Sequence, residues 1–89
     1  MPAIVKMKIM PISVNSDLSK VKNSSKKAIT GLGGESVRFE EEPIAFGLKA
    51  LNAIFLWEEE KELESLENSL KKIKEVKSVE MVDIRRAIG

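Results

Sequence analysis

Glu40-Glu41-Glu42-Pro43-Ile44-Ala45-Phe46-Gly47-Leu48-Lys49-Ala50-Leu51-Asn52 lies near the middle of the chain and joins features that strands and helices usually keep apart. An acidic run leads into a Pro-to-Gly connection carrying Ile44 and Phe46, which leads into a long apolar segment. Proline fixes φ and offers no backbone donor, whereas glycine reaches positive φ, so Pro43 and Gly47 bracket a turn between two extended runs. An aromatic at the tip of such a turn either folds back onto the core or is presented to a partner. Downstream, Leu48 to Trp57 is the most apolar strand and reads as a central one. Leu51, Ala53, Phe55 and Trp57 form one of its faces; Ala50, Asn52, Ile54 and Leu56 form the other, where Asn52 argues for less complete burial. Upstream, after Gly33-Gly34, Val37 and Phe39 alternate with Ser36, Arg38 and Glu40, a strand short of apolar positions that suits a charged sheet edge.

Working outward to the termini, Val5, Met7 and Ile9 alternate with Lys6 and Lys8, the period of a half-buried strand, and Pro11 ends it. Asn15-Ser16-Asp17 supplies an N-cap. Leu18, Val21, Ser25, Ala28 and Ile29 then share one stripe, which predicts a helix from about Asp17 to Thr30 with Lys26 and Lys27 at its far end and Gly31 as the C′ residue. Glu58, Glu59, Glu60, Glu62 and Glu64 crowd the predicted start of a second helix, and Lys71, Lys72 and Lys74 crowd its end, matching the macrodipole at both termini. Leu63, Leu66, Leu70 and Ile73 form its apolar stripe. A last strand runs from about Val76 to Arg86; Val79 and Met81 share a face but Ile84 falls on the opposite phase, which predicts a bulge near Val82-Asp83. The order βαββαβ is that of the ferredoxin-like α+β sandwich, in which right-handed crossovers place both helices on one face of a four-stranded antiparallel sheet.

The 89 residues make one domain with a thin core. With 15 basic against 14 acidic residues, the net charge is +1, which disfavours DNA or RNA as the main partner. The chain has neither Cys nor His, which removes the usual zinc sites, thiol nucleophiles and imidazole bases. The N-terminal run carries Lys6 and Lys8 rather than a signal-peptide apolar region, and Ala53 to Trp57 is too short to span a bilayer, so a soluble cytoplasmic protein is expected.

Few residues offer chemistry. Gly31-Leu32-Gly33-Gly34 follows a helix, precedes a strand and lacks Gly-Lys-Ser/Thr, so it reads as a cap and turn rather than a phosphate loop. Glu40, Glu41 and Glu42 alternate between faces and do not converge on a metal; they read as a solvated, edge-protecting run, with a docking contact for a basic partner as the alternative. Trp57 reads as core. Arg85-Arg86 ends the last strand, where a cation can project away from the body.

The stretch from Glu42 to Asn52, together with Val79-Glu80-Met81-Val82-Asp83-Ile84-Arg85-Arg86, resembles the archaeal elongation factor 1-beta family and the C-terminal exchange domain of the eukaryotic elongation factor 1 beta subunits. The resemblance covers essentially the whole chain, and Pro43-Ile44-Ala45-Phe46-Gly47-Leu48 is its most specific part. It implies a guanine-nucleotide exchange factor for the translational GTPase elongation factor 1-alpha, acting by non-covalent binding, without a cofactor or metal of its own. The partner contacts it implies are Pro43, Ile44, Phe46, Lys49, Asn52, Arg85 and Arg86. In eukaryotic members the loop phenylalanine inserts into the GTPase, and Phe46 occupies that position. A lysine near the family's C-terminus reaches toward the magnesium and phosphate site; an ungapped match puts Arg86 there, which keeps the charge but changes its shape. A counterpart of the eukaryotic N-terminal subunit-binding region is not expected, nor are direct nucleic-acid or membrane contacts, and the free protein is expected to be a monomer. The alternative from the fold is an RNA- or small-molecule-binding module using the open sheet face, although Ile4, Lys6, Lys8, Ala50, Asn52 and Ile54 there hold no base-stacking motif.

Overall fold

The computed structural model describes residues 2–86. The alternating N-terminal run forms β1 (Pro2–Pro11), with Ala3, Val5, Met7 and Ile9 buried and Ile4, Lys6 and Lys8 on the other face. Then follow α1 (Leu18–Gly31), β2 (Glu35–Pro43), a single 3-10 turn over Ala45–Gly47, β3 (Lys49–Glu58), α2 (Glu64–Lys71) and β4 (Val76–Arg86). The strands form one antiparallel sheet in the order β2-β3-β1-β4. This is the ferredoxin-like arrangement expected from the element order.

The core lies between the helices and one sheet face. Val5, Met7 and Ile9 meet Leu51, Ala53, Phe55 and Trp57 from β3, Val21 and Ile29 from α1, and Leu66 and Leu70 from α2. Phe55 and Trp57 pack edge to face with ring centroids 6.0 Å apart. The Trp57 indole N–H donates to the Lys61 carbonyl at 3.2 Å, so this aromatic is core, as its phase on β3 requires.

Helix α1 starts where the sequence predicts, with Asp17 Oδ1 accepting from the backbone N–H groups of Ser19 and Lys20 at 3.0 and 3.2 Å. Its end lies later than expected. Gly31 is still helical, and Gly33, at φ 104°, takes the left-handed position. Gly34 N–H donates to the Ile29 carbonyl at 2.8 Å and Gly33 N–H to that of Thr30 at 3.1 Å, a Schellman closure. Lys26 and Lys27 therefore fall short of the last turn. The cation at this terminus comes from across the core: Lys61 Nζ donates to the Leu32 carbonyl at 2.7 Å while lying 5.4 Å from the Trp57 ring centroid.

Helix α2 is shorter than its charge pattern suggests. Glu58 remains in β3, paired with Pro2, and Lys61 N–H closes a turn onto the Glu58 carbonyl at 3.1 Å. Ladder pairing and the Trp57–Lys61 bond hold the chain out of helical geometry until Leu63, so only Glu64 and Glu67 reach the first turn and only Lys71 the last. In β4, Lys6 pairs with Asp83 but Met7 with Met81, leaving Val82 as the extra residue of the expected bulge. The bulge returns Ile84 to the face of Met81. Asn52 departs from expectation in the other direction: although it lies on the open sheet face, it is only 4% exposed, because the side chains of Lys8 and Glu42 lie across it.

Candidate functional site

The β2–β3 connection presents its aromatic. Phe46 is 94% exposed, with φ 61° and ψ 31°, and Gly47 follows at φ 78°. A left-handed conformation costs a non-glycine residue roughly 1–2 kcal/mol, so surrounding bonds must impose it. Ile44 N–H donates to the Leu48 carbonyl at 2.7 Å and Leu48 N–H to that of Ala45 at 3.3 Å, closing the loop beneath Phe46. Below that, Pro43 pairs with Lys49 and Glu42 with Ala50. Ile44 is half-buried in the stem, and Lys49 is exposed, 3.8 Å from Glu41.

A polar knot anchors the stem on the open face. Asn52 Nδ2 donates to Glu42 Oε1 at 2.8 Å, and Lys8 Nζ lies 3.5 Å from Glu42 Oε2. The Asn52 hydrogen bond, followed by the charges of Lys8 and Lys6, holds the Glu42 carboxyl below the ordinary carboxylate range, outweighing partial desolvation. Asn52 Oδ1 is buried and has no hydrogen-bond partner among the described residues.

The two arginines lie at the far end of the sheet. Arg86 pairs with Ala3 and Arg85 with Ile4, whereas the Phe46 loop lies beyond Pro43 and Lys49, at the end where Pro11 pairs with Val76. From Ala3 to Pro11 the sheet runs about 26 Å at 3.3 Å per residue, in a molecule 39 Å along its longest axis. Arg85 and Arg86 point to opposite faces. Arg86 Nε and Nη2 donate to Glu59 Oε1 at 3.2 and 3.1 Å, on the helix side. Arg85 donates to Asp83 Oδ2 at 3.2 and 3.0 Å, on the open side.

A family model described as the EF-1 guanine nucleotide exchange domain matches residues 4–87. The chain belongs to this family. Among its relatives, the elongation factor 1-beta of Methanobrevibacter smithii is 44% identical over 84 residues, covering 93% of each chain. That of Staphylothermus marinus is 38% identical with 93% of each covered, and that of Methanosarcina barkeri 42% identical with 91% and 92% covered.

In this exchange domain the sequence-derived contact residues do not converge on one pocket. Pro43, Ile44, Phe46 and Lys49 gather at one end of the sheet, Asn52 lies beneath the stem on the open face, and Arg85 and Arg86 stand at the other end. The open face offers no stacking platform among the described residues. Glu80 pairs with Lys8, Asp83 with Lys6 and Glu40 with Asn52, so carboxylates interleave with the lysines, while Phe39, Phe55 and Trp57 belong to the helix side. An RNA backbone would meet as much repulsion as attraction there.

Sequence reasoning missed Glu59 as the partner of Arg86, since it read that residue into a helix start. It also missed Ile12 and Val14, which are 57% and 58% exposed. Their signal was present: after Pro11 the apolar residues occupy the outward phase of β1.

Proposed function

We propose that this exchange domain promotes GDP release, and so GDP/GTP exchange, on the translational GTPase elongation factor 1-alpha during protein synthesis, and that it grips the GTPase at both ends of the sheet. The observation that carries the two-ended reading is Phe46, held 94% exposed in a left-handed conformation by its own loop. An exposed aromatic held in place by its own loop suits an interface anchor. Pro43, Ile44 and Lys49 support it from the stem, and Asn52 supports the stem itself through Glu42.

Exchange needs no covalent step. The chain must bind the nucleotide-free GTPase more tightly than the nucleotide-bound form; reciprocity then requires nucleotide to bind more weakly to the complex. Magnesium bridges the nucleotide phosphates and the GTPase, so a competing cation or a displaced switch segment loosens the site. Arg86 supplies that cation from the helix side, while Arg85 extends the positive strand end on the open side. Its ion pair with Glu59 joins side chains that are 68% and 30% exposed, and such a pair contributes no more than about 1 kcal/mol, so the guanidinium is released at small cost. The free protein acts as a monomer in the cytoplasm, without direct nucleic-acid contact; no helix of the described residues is long and apolar enough to cross a membrane.

The test is release of a fluorescent GDP analogue from elongation factor 1-alpha with and without this protein. Acceleration by at least about tenfold is expected, a lowering of the release barrier by roughly 1.4 kcal/mol. An unchanged release rate would overturn the function.

A further inference from the structure

We infer that the β1–α1 loop, through Ile12 and Val14, forms a second apolar contact with the GTPase that receives Phe46. The inference rests on Phe46 being a partner anchor. Residues 12–17 leave β1 at the same end of the sheet as the Pro43–Gly47 connection, and their polarity is reversed from that of an ordinary surface loop. The hydroxyls are engaged within the protein: Ser16 Oγ accepts from Ser13 N–H at 3.2 Å and donates to Glu75 Oε1 at 3.1 Å, and Ser13 Oγ accepts from Asn15 N–H at 3.1 Å. The Ile12 N–H donates to the Glu75 carbonyl at 2.9 Å. The apolar side chains of Ile12 and Val14 stand outward, more than half exposed.

Water alone would favour the opposite orientation. A loop pinned by its polar groups while displaying two β-branched side chains is a stiff apolar surface that loses little conformational freedom on docking. That surface adjoins the loop that carries Phe46: a Cβ built on Gly47 would lie 3.7 Å from Val14 Cγ1. Of the other exposed large apolar side chains among the described residues, Leu32 and Ile84 lie near Trp57 and Lys61, and Val82 stands on the open sheet face.

Area argues for the same occupant. A specific interface buries about 800 Å² on each partner, whereas one aromatic side chain supplies about 200 Å². A GTPase that engulfs Phe46 must extend over neighbouring surface, and Val14 and Ile12 are the apolar surface adjoining the loop.

The experiment titrates wild type, Phe46→Ala and the double variant Ile12→Ser/Val14→Ser in the GDP-release assay, with thermal unfolding as a folding control. The double variant is expected to raise the half-saturating concentration by about tenfold, equivalent to ~1.4 kcal/mol, while the saturated release rate and the unfolding midpoint stay near wild type. The near-isosteric Val14→Thr, which retains volume, is expected to shift the same concentration in the same direction and serves if the double variant unfolds. If Phe46→Ala weakens exchange but the loop variants superimpose on wild type, the loop contact is overturned and the anchor stands; if neither weakens it, both fall. Sedimentation that shows a wild-type dimer dissociated by the loop variants, with exchange unaltered, would make the patch a self-interface and also overturn the inference.

Discussion

Truncating Phe46 to alanine separates an interface anchor from a core residue, because the two roles differ in free energy by an order of magnitude. With 94% of the residue in solvent, only about one-twentieth of the roughly 3 kcal/mol available from full burial of a Phe is at stake, or about 0.2 kcal/mol. For a domain of this size that corresponds to a shift of about 1 °C in the unfolding midpoint. A core phenylalanine would instead cost roughly 3–5 kcal/mol. Alanine keeps a Cβ, so the left-handed strain at φ 61° is carried over rather than relieved. At the interface, an aromatic anchor is worth at least about 2 kcal/mol, which is roughly a 30-fold rise in the half-saturating concentration for GDP release. Circular dichroism melting measures the first effect, and stopped-flow release of a fluorescent GDP analogue from elongation factor 1-alpha measures the second. Exchange within about twofold of wild type, or a midpoint lowered by more than about 10 °C, would exclude Phe46 as an interface anchor.

Three further outcomes follow from the geometry. Arg86→Gln should lower the saturated GDP-release rate by about tenfold, a loss of ~1.4 kcal/mol from the barrier, with a smaller effect on docking; an equal rise in half-saturating concentration with the rate unchanged would exclude the electrostatic role. The Glu42 carboxyl is depressed by Asn52 and the nearby lysines, so its contribution to stability is full above the unfolded value of about 4.3 and is lost as pH falls through the lower folded value. Asn52→Ala should therefore be more destabilising at roughly pH 7 than at roughly pH 2 by urea denaturation, and an equal deficit at both would show that the Glu42 bond is not what Asn52 contributes. Ser25 is buried on α1 with no partner for its hydroxyl among the described residues, so Ser25→Ala should stabilise the fold by about 1 kcal/mol, visible as a higher unfolding midpoint; a lowered midpoint would mean that the hydroxyl is satisfied in solution.

The fold was legible because each strand and helix carries its own period. The alternation of Val5, Met7 and Ile9, the Asp17 cap and the broken phase before Ile84 are local signals, and the structure places a strand, a helix start and a bulge where they stand. The errors came where a distant partner overrode a local preference. Glu58 to Glu60 satisfy a helix-start rule, yet the β1 ladder and the Trp57–Lys61 bond keep them out of α2. Gly31 suits a C′ position, yet the turn closes at Gly33, where Lys61 reaches across to Leu32.

The βαββαβ order, the family resemblance and the candidate contact residues near Phe46 and Arg86 are readable from the chain alone. Those follow from local patterning, which the chain carries wherever it folds. Only the tertiary structure decided that Phe46 is presented rather than buried, because exposure depends on how the loop closes through Ile44 and Leu48 and on what packs beneath it. It also separated Phe46 from Arg86 by the length of the sheet, buried Asn52 under Glu42 and Lys8, and set Ile12 and Val14 beside the loop. Strand register and packing across the sheet create those neighbourhoods, and no spacing along the chain encodes them.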